Sequence, residues 1–569
     1  MAKLLITGSS DDSSLMSSDD ENVGFIWGTT ALEEYANTLN STAAFLLPQN
    51  PYARVIKNYT SPSPGCGGEN VSEASLAKIQ QEYGNGSLLI GDFAAKYYKA
   101  LNATIWAYPL ATMAETLPRH TYSPGNPPHF NINTFVNNPV MANYTITSVV
   151  SPNADTLYSV AWLDLTSGPL VIGVPDMEGR FYVLEFVDAY TNVPLTIGPA
   201  SSPLGQGITR AVRYVITPPG FNGTVPPGYN YTARVETPLV WILGRTYADG
   251  YNETDLAAAN ALIAQYSISP LFPDGYQPPT AVSQLAEQAL VASGVPYSID
   301  SGRNVSAFWQ MTGAMAALNP PATAADATAY AGFSGLGLTA NGFNAAAVVD
   351  NDTALALNLG LAAGLLCINA TARSLGNATA ARWTSSSVAV LSSGQSSTDV
   401  LTRAALDWSV LGANPPSTAI YYTNYDGFKA SDAATLAGPT LPLDGSAYDY
   451  TLSFTSFPNV TGFWSVTMYA ADNNQFFNAP YDATDGAYRY NINAVTPGFA
   501  YNGGNFTIYM SVTPAPAGSL QQKNWLPIGT VPSSRFYLIL RLYGPSQEAQ
   551  AGEYDPPPIL AHPRGFSAA

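Results

Sequence analysis

Ser151-Pro152-Asn153-Ala154-Asp155-Thr156-Leu157-Tyr158, then Ala161-Trp162-Leu163-Asp164-Leu165, Val174-Pro175-Asp176, Gly179-Arg180-Phe181-Tyr182 and Asp188-Ala189-Tyr190-Thr191-Asn192, is a succession of apolar runs cut by turn residues. Thr156 to Leu165, Leu170 to Val174 and Phe181 to Val187 are β-branched and aromatic, and predict strands. Gly173-Val174-Pro175-Asp176 punctuates them. Downstream, Ala211 to Thr217 and Val240 to Leu243 continue the pattern, separated by Pro218-Pro219-Gly220. Short strands at this spacing predict a β-sandwich or barrel.

Outward from this block the period changes. Asp255 to Tyr266, Ala281 to Ala292, Ala307 to Leu318, Ala354 to Leu366 and Asp399 to Leu411 are Ala- and Leu-rich with helical spacing. Thr254 and Asp399 stand where N-caps would help. Asn414-Pro415-Pro416 ends the stretch. Strands return at Ala419 to Tyr422, Tyr448 to Phe454, Gly462 to Tyr469, Phe506 to Val512 and Arg535 to Leu542. On the N-terminal side, Leu4 to Thr7 and Val23 to Trp27 are short apolar runs, joined by a Ser/Asp-rich tether from Ser9 to Glu21. Ala31 to Leu39 and Ser72 to Tyr83 have helical spacing. The expected fold class is α+β: two β-rich, sandwich- or jelly-roll-like domains with an intervening helical region and an N-terminal extension. The expected boundaries are 1–95 for the extension, 96–253 for the first β-rich domain, 254–416 for the helices and 417–569 for the second β-rich domain.

The net charge is −18, and only 11% of residues are charged. Lys and Arg are sparse and unclustered, which argues against nucleic acid and against an anionic membrane surface. No run of about 18 apolar residues occurs, so no membrane span is expected. Met1 to Gly8 is too short an apolar run for a signal peptide. The chain so numbered reads as a mature form or as one whose true start lies upstream. The two cysteines, Cys66 and Cys367, allow one disulfide in an oxidising compartment or two buried thiols.

A surface this poor in charge needs another source of polarity, and the acceptor tripeptides for N-glycosylation supply one. They stand at Asn40, Asn58, Asn70, Asn85, Asn102, Asn143, Asn222, Asn230, Asn252, Asn304, Asn351, Asn369, Asn377, Asn459 and Asn505. Composition alone would give roughly half as many. Secretion, an extracellular or cell-surface location and N-linked glycans are therefore expected.

The strand blocks also resemble two families of unknown function. The motifs from Ser151 to Asn192 are similar to domain family 1254. So are the lead-in from Ala107-Tyr108-Pro109-Leu110 to Thr134-Phe135-Val136, and Trp241-Ile242-Leu243-Gly244-Arg245-Thr246 with Asp249-Gly250. Gly462-Phe463-Trp464-Ser465-Val466-Thr467-Met468-Tyr469, Asn478, Arg489-Tyr490, Asn524-Trp525-Leu526-Pro527 and Phe536 through Arg541-Leu542-Tyr543 are similar to domain family 1214. The resemblance implies two β-rich domains around helical segments. Asn137 stands where such proteins often carry His, so proton chemistry through that position does not carry over.

The motifs of known chemistry are missing. His120, His129 and His562 form no zinc-protease pair, and no Gly-x-Ser-x-Gly elbow occurs. Ser75-Leu76-Ala77-Lys78 lacks its partner motifs. The candidate polar cluster is Asn153, Asp155, Tyr158, Asp176, Arg180, Tyr182, Asp188 and Asn192. Carboxylates and an arginine on neighbouring strands suit a paired binding or acid/base site, or a tie between strands. Arg489, Tyr490, Asn524, Trp525, Arg541 and Tyr543 offer the same choice in the second domain. The expected function is a structural or surface glycoprotein that self-associates into a filament or coat, its N-terminal arm adding a strand to a neighbour. No cofactor is expected beyond the glycans. The alternative is a secreted enzyme, perhaps a hydrolase, or a small-ligand-binding protein using Asp155, Arg180 and Asp188.

Overall fold

The computed structural model describes residues 92–125, 129–145, 151–200, 207, 209–293, 307–321, 323–348, 350–385, 399–424, 428–429, 440–481 and 488–565. The sequence-predicted arm at 1–30 and the helical segments before residue 92 lie outside them. So do Cys66, Asn40, Asn58, Asn70, Asn85 and Asn304.

A long helix, α1 (Asp92–Thr121), precedes the first β module. That module comprises β1 (Val136–Asn137), β2 (Thr156–Asp164), β3 (Leu170–Val174), β4 (Tyr182–Asp188), β5 (Leu195–Ile197), β6 (Val212–Thr217), β7 (Tyr231–Arg234) and β8 (Leu239–Tyr247), then α2 (Glu253–Ile263) and β9 (Ser267–Pro270). One sheet is five-stranded, ordered β1-β2-β8-β4-β5, and the other four-stranded, ordered β9-β3-β6-β7. Alternate residues of the first sheet serve two cores. Leu157, Ala161, Leu163, Leu184, Phe186, Val240 and Ile242 pack towards Ile172, Tyr214 and Ile216 of the second sheet. Trp162, Trp241 and Val187, aligned across β2, β8 and β4, point the other way, into the helices.

Those helices are α3 (Ala281–Ser293), α4 (Ala307–Leu318), α5 (Ala324–Gly332), α6 (Asn351–Ser374) and α7 (Val400–Val410). Asp399 caps α7 by accepting from Thr402 N, as its position suggests. Thr254 does not cap α2; Asn252 does, accepting from Thr254 N and Asp255 N, because the helix starts earlier than its apolar spacing indicates. The helical core also takes in α1, most of which falls within the 96–253 span expected to be β-rich. α1 lies against α6, and glycines set the spacing. A Cβ at Gly360 would stand 2.6 Å from Ala100 Cβ, and one at Gly364 would stand 2.6 Å from Thr104 Cγ2. Asp352–Ala372 is long and apolar enough to cross a membrane, with mean hydropathy 1.7, but 79% of its most apolar stretch is buried inside the protein.

The second β module comprises β10 (Ala419–Asn424), β11 (Tyr448–Phe454), β12 (Trp464–Ala470), β13 (Asn491–Asn493), β14 (Phe506–Ser511), β15 (Trp525–Pro527), β16 (Arg535–Tyr543) and β17 (Ile559–Pro563). Its larger sheet runs through β10-β16-β12-β13, and its smaller sheet is ordered β15-β14-β11-β17. The fold is α+β, two sheet-rich modules separated by helices.

Candidate functional site

The larger sheet of the second module is buried on both faces. Along β16, Phe536, Leu538, Leu540 and Leu542 enter their own sandwich core. The intervening Tyr537, Ile539, Arg541 and Tyr543 turn towards the first module. β12 repeats this: Trp464, Val466 and Met468 point inward, while Ser465, Thr467 and Tyr469 take the other face. β13 adds Asn491 and Asn493 on either side of Ile492. A buried face with this many polar groups must find partners for them. It finds them in residues 151–158 of the first module.

Asp155 is 1% exposed. Its Oδ1 accepts from Asn491 Nδ2 at 2.5 Å and from Asn493 Nδ2 at 3.0 Å. Burial pushes its carboxyl pKa up, against the lowering effects of Ser465, Asn493, Arg541 and Asn491. Its Oδ2 is enclosed without a hydrogen-bond partner. Asn153 accepts from Asp155 N at 2.8 Å and donates to Tyr543 OH at 2.7 Å. Tyr469 OH donates to Pro152 O at 2.6 Å. Ser151 has φ 49°, a left-handed backbone unusual for serine. Four contacts hold it there: its N–H to Asn474 O, its hydroxyl to Tyr537 OH, and its carbonyl to Arg541 Nη2 and Tyr469 OH.

One step further in, β2 and β8 place Tyr158 opposite Arg245, whose guanidinium lies 6.0 Å from the tyrosine ring centre. Arg245 Nη1 pairs with Glu185 Oε2 at 2.9 Å, and Nη2 donates to Gly412 O at 2.6 Å. Burial raises the Glu185 pKa to about 7, with the Arg245 charge and hydrogen bond opposing it. Its Oε1 has no partner. Just past Gly412, Asn414 Nδ2 donates to Tyr421 OH at 2.8 Å. The first sheet, the end of the helical region and the second module thus meet around one polar junction.

The candidate cluster divides among five places. Asn153, Asp155 and Tyr158 belong to this junction. Arg180 instead makes a bidentate pair with Asp255, at 2.7 and 2.9 Å, and donates to Tyr247 O, tying α2 to β8. Asp176 pairs with Arg210 in a partly exposed bridge, and Tyr182 is core. Asp188 closes its own turn: Oδ1 accepts from Tyr190 N and Asn192 N, and both oxygens accept from Asn192 Nδ2. Burial raises the Asp188 pKa to about 6. The turn meets α7 through Thr191, whose hydroxyl donates to Asp407 at 2.8 Å.

In the second module, Arg489 caps carbonyls, with Nη1 donating to Lys523 O and Trp525 O and Nη2 to Pro497 O, while its guanidinium lies 3.6 Å over Tyr481. Asn524 bonds both backbone groups of Ala500, Trp525 Nε1 reaches Ser511, and Tyr490 OH accepts from Tyr144 N. These are ties between segments. Arg541 and Tyr543 belong to the junction. Asn137 donates to Ile263 O.

His120 is not on a surface loop. It stacks on Trp241 at the end of α1, and burial lowers its pKa to about 4. Among the described residues no group of three His, Cys, Asp or Glu side chains could hold a metal ion. Cys367 is buried in α6. Asn102, Asn222, Asn230, Asn252, Asn459 and Asn505 are exposed, and Asn143 and Asn369 are half-buried. Glu185, Asn491 and Asn493 escaped the sequence reading, as did the junction roles of Arg245 and Tyr469. Their signal was a polar residue at a strand position flanked on both sides by core residues.

The fold and junction define a two-module β protein around a helical core. Residues 132–270 match the family described as Protein of unknown function (DUF1254), and residues 435–547 match Protein of unknown function (DUF1214). The chain carries the paired arrangement that its motifs resemble. No curated protein matches it. Among solved structures, it is similar to the VPA0106 protein from Vibrio parahaemolyticus, with 23% identity and a TM-score of 0.57 over 82% of this chain and all of that one. That likeness bears on the fold alone. An uncharacterized protein from Burkholderia cenocepacia aligns more loosely, with 14% identity and a TM-score of 0.37 over 84% of this chain and 97% of that one.

Proposed function

We propose that this is a secreted, N-glycosylated structural or surface protein that self-assembles into an extracellular filament or coat. The observation that carries the reading is the closure of its best polar cluster. Asp155 is buried and held by two asparagines of the other module, and Asn153 by Tyr543. Groups so held lock two modules together and are not free to turn over a substrate. An enzyme or ligand-binding protein working through Asp155, Arg180 and Asp188 would need the three on one site, and each has its own partners.

The exposed acceptor asparagines suit glycans, which would give a weakly charged surface its solubility. Assembly is assigned to the N-terminal segment, a β-prone run on a Ser/Asp tether that can add a strand to a neighbour's open sheet edge. Head-to-tail contacts of that kind build filaments when they do not close. No nucleic acid, membrane span or cofactor enters the proposal. The test compares the full chain, produced with its glycans, against a variant lacking residues 1–22 by size-exclusion chromatography. Large assemblies that fall to single chains on deletion support the reading; an unchanged elution sinks the arm's role.

A further inference from the structure

We propose that the open edge of β7 (Tyr231–Arg234) accepts residues 4–7 of a second copy of this chain as an added strand. This names the acceptor for the assembly proposed above, and it rests on that reading. β7 is the last strand of the four-stranded sheet and runs parallel to β6. Alternate residues of a strand turn their N–H and C=O to the same side. Val235 N donates to Thr217 O of β6, and Ala233 O accepts from the Thr217 hydroxyl, so the odd-numbered residues face β6. The backbone groups of Thr232 and Arg234 face the open side, where they have no hydrogen-bond partner among the described residues. Both residues are exposed. Other sheet edges suit an incoming strand less well. β9, β15 and β17 each end in proline, which has no N–H to donate. β5 and β13 are buried, and β1 has two residues.

Charge points to the same occupant. Arg234 and, on the neighbouring strand, Arg213 are exposed, and neither has a carboxylate partner among the described residues. They stay unpaired in a chain with 40 acidic residues against 22 basic ones. Both stand on the face of the sheet away from Tyr214 and Ile216, with Arg213 4.6 Å over the Tyr229 ring. Leu4-Leu5-Ile6-Thr7 is uncharged, and the tether behind it carries Asp11, Asp12, Asp19, Asp20 and Glu21. As an added strand, its Leu4 and Ile6 can extend the core beside half-buried Tyr231 and Ala233, and its Leu5 and Thr7 then share the arginine face. Exposed arginines discourage this edge from pairing with its like, and they favour a strand that brings acid with it. Asn230 opens β7, and its Oδ1 accepts from Arg213 N at 2.8 Å, on the β6 side and away from the open edge.

Photocrosslinking tests the contact in the full glycosylated chain, with benzoylphenylalanine in place of Ile6 and isotope-labelled chains mixed with unlabelled ones. Irradiation should link position 6 of one chain to residues 229–236 of another. Arg234→Pro removes an outward N–H and leaves the bonds to β6 intact, so elution should move from large assemblies to single chains with the melting temperature unchanged. If that variant melts early, Arg213→Glu combined with Arg234→Glu carries the test. Its assembly should need about tenfold more protein at low salt, and the gap should narrow at high salt. Links between chains at a different edge overturn this acceptor and leave the assembly reading standing. Links to 229–236 within one chain, or assembly unchanged in both variants, also overturn it. Single chains with no links between copies overturn the acceptor and the assembly reading together.

Discussion

Asp155 accepts two asparagine donors from a distant part of the chain, and its removal orphans both. Each orphaned buried donor costs about 1–3 kcal/mol. Asp155→Ala should therefore lower the urea midpoint clearly. Asp155→Asn keeps an acceptor oxygen and should recover much of the loss. Equal midpoints for Asp155→Ala and the parent would remove the junction's stabilising role. Asp188 gives a pH signature. Its pKa rises from 3.8 to about 6, burial being the main cause, with Asn192, Tyr190 and Arg403 opposing it. Asp407, itself raised by burial, shares the charge of Arg403. The folded state thus holds a proton that the unfolded state gives up, so this contribution is present below the unfolded pKa and is lost as pH rises through about 6. Glu185 acts in the same direction up to about 7. His120, lowered to about 4, acts in the opposite direction, adding stability as pH rises towards 6.5. Thermal melts of Asp188→Asn and the parent between pH 4 and 7 should differ in slope, the variant losing less on the way up. Parallel profiles would contradict the assignment. The residues of the 151–192 motif were legible as a set because family resemblance marks them. Their separate destinations were not, because partners such as Asp255, Asn491 and Asp407 lie far along the chain.

Elements with a clear period were readable. Leu170–Val174, Ala307–Leu318 and Tyr448–Phe454 fall where their patterns place them. α1 was not, for two reasons. It contains Pro109 and Pro118, which read as breaks, and it is apolar on all sides because the helical core surrounds it. Its threonines keep the backbone occupied, Thr104, Thr112, Thr116 and Thr121 each donating to the carbonyl four residues back. The contact of α1 with α6 is close enough that Gly360→Ala should cost about 1–3 kcal/mol through forced separation. Equilibrium denaturation measures it, and a neutral result would mean that the helices part freely. The start of α2 offers a cleaner separation of roles. Asn252 is at once its N-cap and the exposed asparagine of an Asn-Glu-Thr tripeptide, where the proposed function expects a glycan. Asn252→Asp should keep the cap, losing one glycan by mass with little change in stability, whereas Asn252→Ala should also lose about 1 kcal/mol.

At the scale of the whole molecule, two sandwiches and a helical bundle share their faces. The first sheet serves both its own sandwich and the helices, and the second module's larger sheet serves both its own core and the junction. The α+β architecture was visible from the alternation of strand and helix blocks. The polar face between the modules was not, because a polar residue alternating with core residues reads as solvent-facing until a second surface covers it. That closed interior leaves the outer surface and the N-terminal segment as the places where a structural protein would act, and negative-stain electron microscopy of the glycosylated full chain looks at both. Ordered filaments or arrays are the expected result. A field of discrete single chains or small closed oligomers would contradict the structural reading.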